Sequence, residues 1–286
     1  MELTCNSNFT LNNGVKMPVF GLGVFHSKAG DETADAVKSA ILNGYRMIDT
    51  ARAYSNEASV GDGIKASGVN RQELFVTTKL WKTDYDSPRR GLVESLKRLK
   101  LDYVDLFLLH WPFTGYEDAW LKLEELQKEG LCRAIGVSNF KIHHLEHLLA
   151  GGACVPQVNQ TEIHPTNTEE ELTTWCRRKN ILMEAYSPLG GEGRLLLDDP
   201  RLVGMCEYYH KTPSQIILRW DLQRGVAVIP KSVREERIIE NSKLFDFELS
   251  QGDLATISDM NCNDRRNYDP DKINERPAWM EPKFSD

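Results

Sequence analysis

Short unbroken apolar runs alternate along the chain with longer stretches of helical periodicity. The runs lie at residues 20–24, 47–49, 74–79, 104–110, 133–138, 156–161, 182–187 and 226–232. They are continuous rather than alternating, as strands covered on both faces should be. Between them, residues 31–43, 88–100, 117–129, 141–149, 168–179 and 213–223 read as amphipathic helices. The first opens with Asp31 and Glu32 and stops at Gly44, an acidic first turn and a glycine terminator. Strand–helix alternation at this pitch implies βαβ units and a parallel sheet, and eight units close most naturally into a barrel. Ahead of them, Asn13-Gly14 stands between two short apolar runs and tolerates the positive φ angles of a hairpin turn. From about Cys262 the chain is polar and proline-rich. The pattern predicts an α/β fold, a (β/α)8 TIM barrel with an N-terminal β-hairpin. An irregular C-terminal tail is expected over the active-site face. No linker or composition shift divides it, so residues 1–286 read as one domain.

Composition narrows the function. A chain of 286 residues suits one barrel. A net charge of −7 argues against binding nucleic acid, while leaving room for a local basic pocket that takes a small anionic cofactor. The 6 cysteines are scattered, with no CxxC, and read as reduced thiols of a cytoplasmic protein. There is no signal-like N-terminus and no apolar run of membrane-spanning length, so secretion and membrane attachment are disfavoured.

In an α/β barrel, chemistry sits at the C-terminal strand ends. Here those ends carry Asp49, Lys79, His110 and Ser138-Asn139. Taken singly, Asp49 reads as a turn cap, His110 as a core histidine and Tyr54 as packing. Lys79 is odder, because a buried ammonium without a partner costs several kcal/mol. It needs a carboxylate, and Asp49 is a candidate. His143, His144 and His147 share one helical stretch, but no HExxH frame or nearby cysteine accompanies them, so a solvated face is expected and no metal is predicted. Gly21-Leu22-Gly23, followed about 26 residues later by Asp49, echoes a dinucleotide fingerprint but lacks its third glycine.

The motifs GLGVF at 21–25, DTARAYSNE at 49–57, TTKLW at 77–81, LLHWP at 108–112, GVSNF at 136–140, VNQTEIHP at 158–165, AYSPLG at 185–190 and IPKSVREERIIEN at 229–241 carry a family resemblance. In order and spacing they resemble the aldo-keto reductases along nearly the whole chain. The branches most similar are the diketogluconate, glyoxal and methylglyoxal reductases and the prostaglandin F synthase-like enzymes. The resemblance implies NADPH-dependent reduction of aldehydes and ketones. It implies a tetrad in which Tyr54 is the proton donor, assisted by Lys79, Asp49 and His110, with His110 orienting the carbonyl. A cation beside the phenol should lower the cost of the phenolate. Trp81, Trp111 and Val24 are implied at the substrate pocket.

For the cofactor, the resemblance implies Gly23, Val24, Phe25 and Asp49 beside the nicotinamide. Ser138, Asn139 and Gln160 would contact its carboxamide, Tyr186 would stack on its ring, and Ser187 and Leu189 would line the pyrophosphate path. Lys231, Ser232 and Arg237 follow the eighth run, where barrels often hold phosphate, and suit the 2′-phosphate that distinguishes NADPH from NADH. Glu240 and Asn241 would meet the adenine. His164 resembles a structural position, and a monomer is the family default.

Two other classes fit the barrel. One is an aldolase or isomerase using Lys79 as a Schiff base, opposed by the Asp49/Tyr54 set and the segment after the eighth run. The other is a binding or regulatory protein, opposed by the completeness of the tetrad. The substrate is left open. A short loop after the fourth strand and a short tail suggest a permissive pocket for ketoaldehydes, aromatic aldehydes, keto-sugars or prostaglandin endoperoxides.

Overall fold

The computed structural model describes residues 3–191, 196–276, 281–282 and 284. The predicted hairpin forms. Strand β1 (Asn8–Thr10) pairs antiparallel with β2 (Lys16–Pro18), and Gly14 takes φ 86° in the turn. Eight strands and their helices then follow in order. β3 (Leu22–Gly23) leads to α1 (Asp31–Leu42), β4 (Met47–Asp49) to α2 (Glu57–Ser67), and β5 (Phe75–Leu80) to α3 (Pro88–Leu99). β6 (Val104–Leu109) leads to α4 (Tyr116–Lys128), β7 (Cys132–Ser138) to α5 (Ile142–Ala150), and β8 (Val158–Glu162) to α6 (Glu170–Arg178). β9 (Leu182–Tyr186) is followed by α7 (Pro200–Tyr209) and α8 (Pro213–Gln223), and β10 (Ala227–Val228) by α9 (Glu235–Ser242) and α10 (Gln251–Ser258).

Each strand from β3 to β10 pairs in parallel with the next. The sheet closes through bridges from Phe20 to Val228 and from Gly23 to Lys231. Gly23 N donates to Pro230 O at 3.2 Å across that seam. A Cβ on Gly23 would stand 2.8 Å from the Ile229 carbonyl oxygen, so close approach of first and last strands requires glycine there.

Alternate residues of each strand point into the barrel. Met47, Phe75, Leu106, Leu108, Ala134, Val158, Ala227 and Ile229 form one buried apolar cluster with Leu11 and Met17 of the hairpin. The hairpin therefore plugs one end of the barrel, and the apolar interior rests on it. The other buried residues form a larger cluster between strands and helices. Among the described residues, no helix is long and apolar enough to cross a membrane. All six cysteines are free.

Helix α2 departs from the sequence expectation, because Gly61 and Gly63 weaken its intrinsic propensity. Both glycines are needed for packing. A Cβ on Gly61 would overlap the Leu99 carbonyl of α3, and one on Gly63 would stand 2.5 Å from Ala34 O of α1. The tail also differs in detail. Residues Pro270–Glu275 form a 3-10 turn rather than irregular chain.

The tail lies over the C-terminal strand ends, as expected. Glu162, at the end of β8, accepts from the backbone N–H of Arg266 and of Asn267, both at 2.8 Å. These donors and His164 hold the Glu162 carboxyl down at about 2, against the opposing effect of burial. Lys141 pairs with Asp269 and Asp271, each at 2.7 Å, and Asn274 Oδ1 accepts from Thr114 N at 2.9 Å. Glu281 accepts from Lys82 at 2.7 Å and from the Trp81 indole at 3.3 Å.

Candidate active site

The polar layer of the barrel begins where the apolar interior ends. Asp49 terminates β4 and is 2% exposed, and Lys79 near the end of β5 is fully buried. Lys79 Nζ donates to Asp49 Oδ1 at 2.6 Å, to Thr50 O at 2.9 Å and to the Tyr54 hydroxyl oxygen at 3.3 Å. An ammonium has three donors, and these partners use all of them. Tyr54 sits on a 3-10 turn, Arg52–Tyr54, directly after β4. That turn places the phenol over the ammonium, with Nζ 4.9 Å from the ring centroid.

His110 follows β6. Its ring is edge-on to Tyr54 at 5.6 Å and to Trp81 at 5.2 Å. Burial, with the charges of Lys79 and Arg276, pushes its pKa well below the usual imidazole value, so the ring is neutral. Its Nδ1 is enclosed without a partner. Phe25, 46% exposed, packs tilted against Tyr54 at 4.8 Å. Trp81 packs on Phe113 at 5.0 Å, and Arg276 of the tail stands 5.5 Å above its ring. The fold thus brings Asp49, Tyr54, Lys79, His110, Trp81 and Phe25 together at the C-terminal ends of the strands.

The phenol departs from the expectation of a tuned-down acid. Burial pushes the Tyr54 pKa well above its usual value, and the negative charges of Asp49 and Glu184 push the same way. The desolvation of the phenolate outweighs the favourable contact with Lys79.

A hydrogen-bonded network lies on the other side of Asp49. Gln160 Nε2 donates to Asp49 Oδ2 at 2.8 Å and to Glu184 Oε2 at 2.7 Å. Ser138 Oγ donates to Gln160 O at 2.9 Å, Asn139 Nδ2 to His110 O at 3.1 Å, and the Tyr186 hydroxyl to Asn139 Oδ1 at 2.7 Å. Asn139 holds φ 64°, the left-handed region that asparagine tolerates. Ser138, Asn139, Gln160 and Tyr186 therefore cluster beside the tetrad, and their hydrogen bonds tie them to one another and to the barrel. Ser187, at φ 48°, opens the turn after β9, and Leu189 packs partly buried on the outer core.

Val24 is completely buried and its carbonyl accepts from Asn56 Nδ2 at 2.9 Å. Gly23 is explained by the barrel seam. Trp111 is buried, with its carbonyl accepting from the Tyr85 hydroxyl at 2.6 Å. Glu184 was absent from the sequence-predicted set. Its signal was a carboxylate at the interior-facing position of an apolar strand, the same anomaly that marked Lys79.

The second cluster follows β10. Lys231 and Arg237 are exposed and form no ion pair with a described residue. Ser232 Oγ caps the turn into α9, accepting from Arg234 N at 3.1 Å. Free cations beside a helix N-terminus are a donor set that fits a phosphate group. Glu240 accepts from Thr212 Oγ1 at 2.8 Å, and Asn241 is buried, so both also serve the packing of α9 on α8.

His143, His144 and Asp271 bring three potential metal-ligand atoms together. His144 Nδ1, however, accepts the Lys141 backbone N–H at 3.2 Å. That fixes the ring proton on Nε2, the atom facing Asp271 at 3.6 Å. Lys141 already occupies the other Asp271 oxygen. The cluster works as a staple between α5 and the tail. His143 and His147 stay exposed, as expected, while His144 is drawn in where the tail's Asp271 comes to lie against it.

Comparison with known proteins agrees with the barrel fold. The family model described as Aldo/keto reductase family matches residues 19–261. The chain is 50% identical over 276 residues to glyoxal reductase of Bacillus subtilis, covering 96% of this chain and 99% of that one. It is 44% identical to methylglyoxal reductase DkgA of Escherichia coli K12, covering 92% and 96%. Its fold superposes with a TM-score of 0.87 on the solved structure of an aldo-keto reductase of Bombyx mori in complex with NADP, at 38% identity and with 93% and 96% of the two chains covered. With a closed eightfold barrel, a buried lysine–aspartate pair under a tyrosine, and these relatives, this chain belongs to the aldo/keto reductase family, a family of NADP(H)-dependent oxidoreductases.

Proposed function

We propose that this protein reduces aldehydes and ketones to alcohols with NADPH, and that Tyr54 delivers the proton to the carbonyl oxygen. The observation that carries this reading is the Lys79 ammonium, fully buried and held by Asp49, Thr50 and the Tyr54 hydroxyl. A buried cation aimed at a phenol oxygen has little structural use and a clear chemical one. Bound NADPH supplies the hydride. Tyr54 Oη gives its proton to the oxygen on which negative charge develops. An alkoxide is a far stronger base than a phenolate, so even a phenol of raised pKa is acid enough. Lys79 Nζ then faces the phenolate oxygen, and Asp49 holds that ammonium in place. Neutral His110 offers one N–H to orient the carbonyl oxygen.

The cofactor's 2′-phosphate is assigned to Lys231, Ser232 and Arg237, and its nicotinamide end to the surface around Phe25, Asn139, Gln160 and Tyr186. Small 1,2-dicarbonyls are the first substrates to test, since the relatives named glyoxal and methylglyoxal reductase support them. The free cysteines support a reducing, cytoplasmic setting. We take the working unit to be the single barrel, as a monomer.

The test is Tyr54→Phe, followed through NADPH absorbance with methylglyoxal and through fluorescence titration of NADPH. Reduction should fall at least 100-fold while cofactor affinity stays within a few-fold, since a general acid contributes about 10²–10⁴ in rate. Undiminished turnover in that variant would reject the assignment.

A further inference from the structure

The interior of the barrel holds one more carboxyl than the proposed reaction uses. Glu184 lies on β9, two residues before Tyr186 and on the same interior face. It is fully buried. Its Oε2 accepts from Gln160 Nε2 at 2.7 Å, and the same nitrogen donates to Asp49 Oδ2 at 2.8 Å. Two carboxyls are therefore tethered to one amide. Its Oε1 is enclosed without a hydrogen-bond partner. The groups facing it are Asp49 from β4, Lys79 from β5, Tyr54 from the turn after β4, and Gln160 from β8. From β10 the neighbour in register is Ala227, which carries no charge.

One cation serves this cluster, and Asp49 holds it directly. With Asp49 ionised, the Lys79–Asp49 pair is neutral. Ionising Glu184 as well would place a second, unpaired negative charge in a water-poor site. That charge would act directly on proton delivery. A phenolate on Tyr54 is harder to form beside an anion, and Glu184 is among the charges that raise the Tyr54 pKa.

We propose that Glu184 is a positioning residue that remains a neutral carboxylic acid while the enzyme reduces carbonyls, and that its ionisation slows proton delivery from Tyr54. This rests on the reductase reading above and adds the residue that limits it on the alkaline side. Burial and the Asp49 charge push the Glu184 carboxyl up to about 8, which puts the change within reach of assay. The sign follows. Below that pH the site is neutral and reduction is fast. Above it the extra anion opposes the phenolate, and kcat/KM falls.

Two measurements test it. The first is the pH profile of kcat/KM for reduction in the intact chain and in Glu184→Gln, a neutral side chain of nearly the same shape. The wild type should lose activity above about pH 8. The variant should retain activity near pH 7 within a few-fold and shift that alkaline limb upward by at least about one unit. An unshifted limb in a folded, active variant overturns the proposal. The second needs no turnover. Infrared difference spectra of the wild type and of Asp221→Asn, without substrate, should both show the carbonyl stretch of a buried protonated carboxyl disappearing over the same pH range, the variant lacking the other buried carboxyl that is pushed well above its usual value. Absence of any such band at neutral pH overturns the proposal even if Glu184→Gln fails to fold. A band that titrates in a protein with no carbonyl reductase activity would leave the protonation of Glu184 standing and remove the reductase reading instead.

Discussion

Replacing Lys79 by methionine isolates the electrostatics of the site from its packing. Lys79 is fully buried, Asp49 is 2% exposed, and the two meet at 2.6 Å. Methionine keeps most of the lysine's length and bulk, so the loss from packing should be under about 1.5 kcal/mol. What remains is a buried Asp49 whose hydrogen-bond donor is the Gln160 amide. Breaking a buried pair from one side costs about 3–5 kcal/mol, because the surviving charge stays desolvated. At about 2 °C per kcal/mol for a chain of this size, the unfolding temperature should fall by about 6–10 °C at pH 7.5.

The pH dependence gives the sharper check. Burial pushes the Asp49 carboxyl upward, and without Lys79 nothing of opposite charge opposes that push. The folded variant then binds more protons than the unfolded chain between the ordinary carboxyl value of about 3.9 and the raised one. Its stability therefore rises as pH falls through that window. The wild type moves the same way but by less, because Lys79 pulls the Asp49 carboxyl back down and leaves only part of that push. The gap between them should narrow between pH 7.5 and pH 5, read by calorimetry or dye-monitored melting. The double variant Asp49→Asn/Lys79→Met carries neither charge and should recover most of the loss, to within about 1–2 kcal/mol of the wild type. A Lys79→Met protein that melts with the wild type at every pH, or a double variant less stable than Lys79→Met, refutes the reasoning.

Other expectations follow from particular contacts. Glu162→Gln should loosen the tail, seen as faster limited proteolysis after residue 265. The wild-type Glu162 carboxyl sits at about 2, below its unfolded value of about 4.3, so it contributes about 3 kcal/mol above pH 4.3, lost as pH falls toward 2; a chemical-denaturation series against pH should show that slope only in the wild type. Gly61→Ala forces a methyl into the Leu99 carbonyl of α3 and should cost about 1–3 kcal/mol in urea unfolding. Arg237→Ala should weaken NADPH by about 10–100-fold and NADH by less than about threefold in fluorescence titrations, the size of a lost charged hydrogen bond. His110 should stay neutral in 15N NMR down to pH 5, since burial and two neighbouring cations oppose its protonation.

The sequence made the barrel legible because its strands are buried on both faces. All eight apolar runs appear as strands, within a few residues of their expected bounds, and α8 begins at Pro213 behind the Thr212 cap as such signals predict. The sequence concealed α2, α7, α9 and α10; α7 and α10 begin behind ordinary caps, Asp199 and Ser250, but in α2 and α9 local chemistry points elsewhere. Helix α2 carries two glycines that packing demands and propensity penalises. Helix α9 spans only eight residues, with Glu235, Glu236 and Arg237 exposed in its first turn, so its apolar stripe is too brief to register as a period. Neither local fact could reveal a tertiary neighbour.

The candidate site divides along the same line. Asp49, Lys79 and His110 could be picked out because each is polar at the end of an apolar strand. Facing is set by parity within the strand and by the barrel seam, which no motif states. Parity also explains the missed carboxyl. Phe75, Thr77 and Lys79 face inward on β5, and Leu182, Glu184 and Tyr186 do so on β9. A polar residue at the end of such a series, or two positions before it, must enter the barrel above its apolar floor. There it meets the polar ends of neighbouring strands, and its charge becomes part of their chemistry. Lys79 satisfied that rule and drew attention because a cation demands a partner. Glu184 satisfied it equally. It stayed unnoticed because a carboxyl can answer burial by keeping its proton, and so leaves no partner for the sequence to betray.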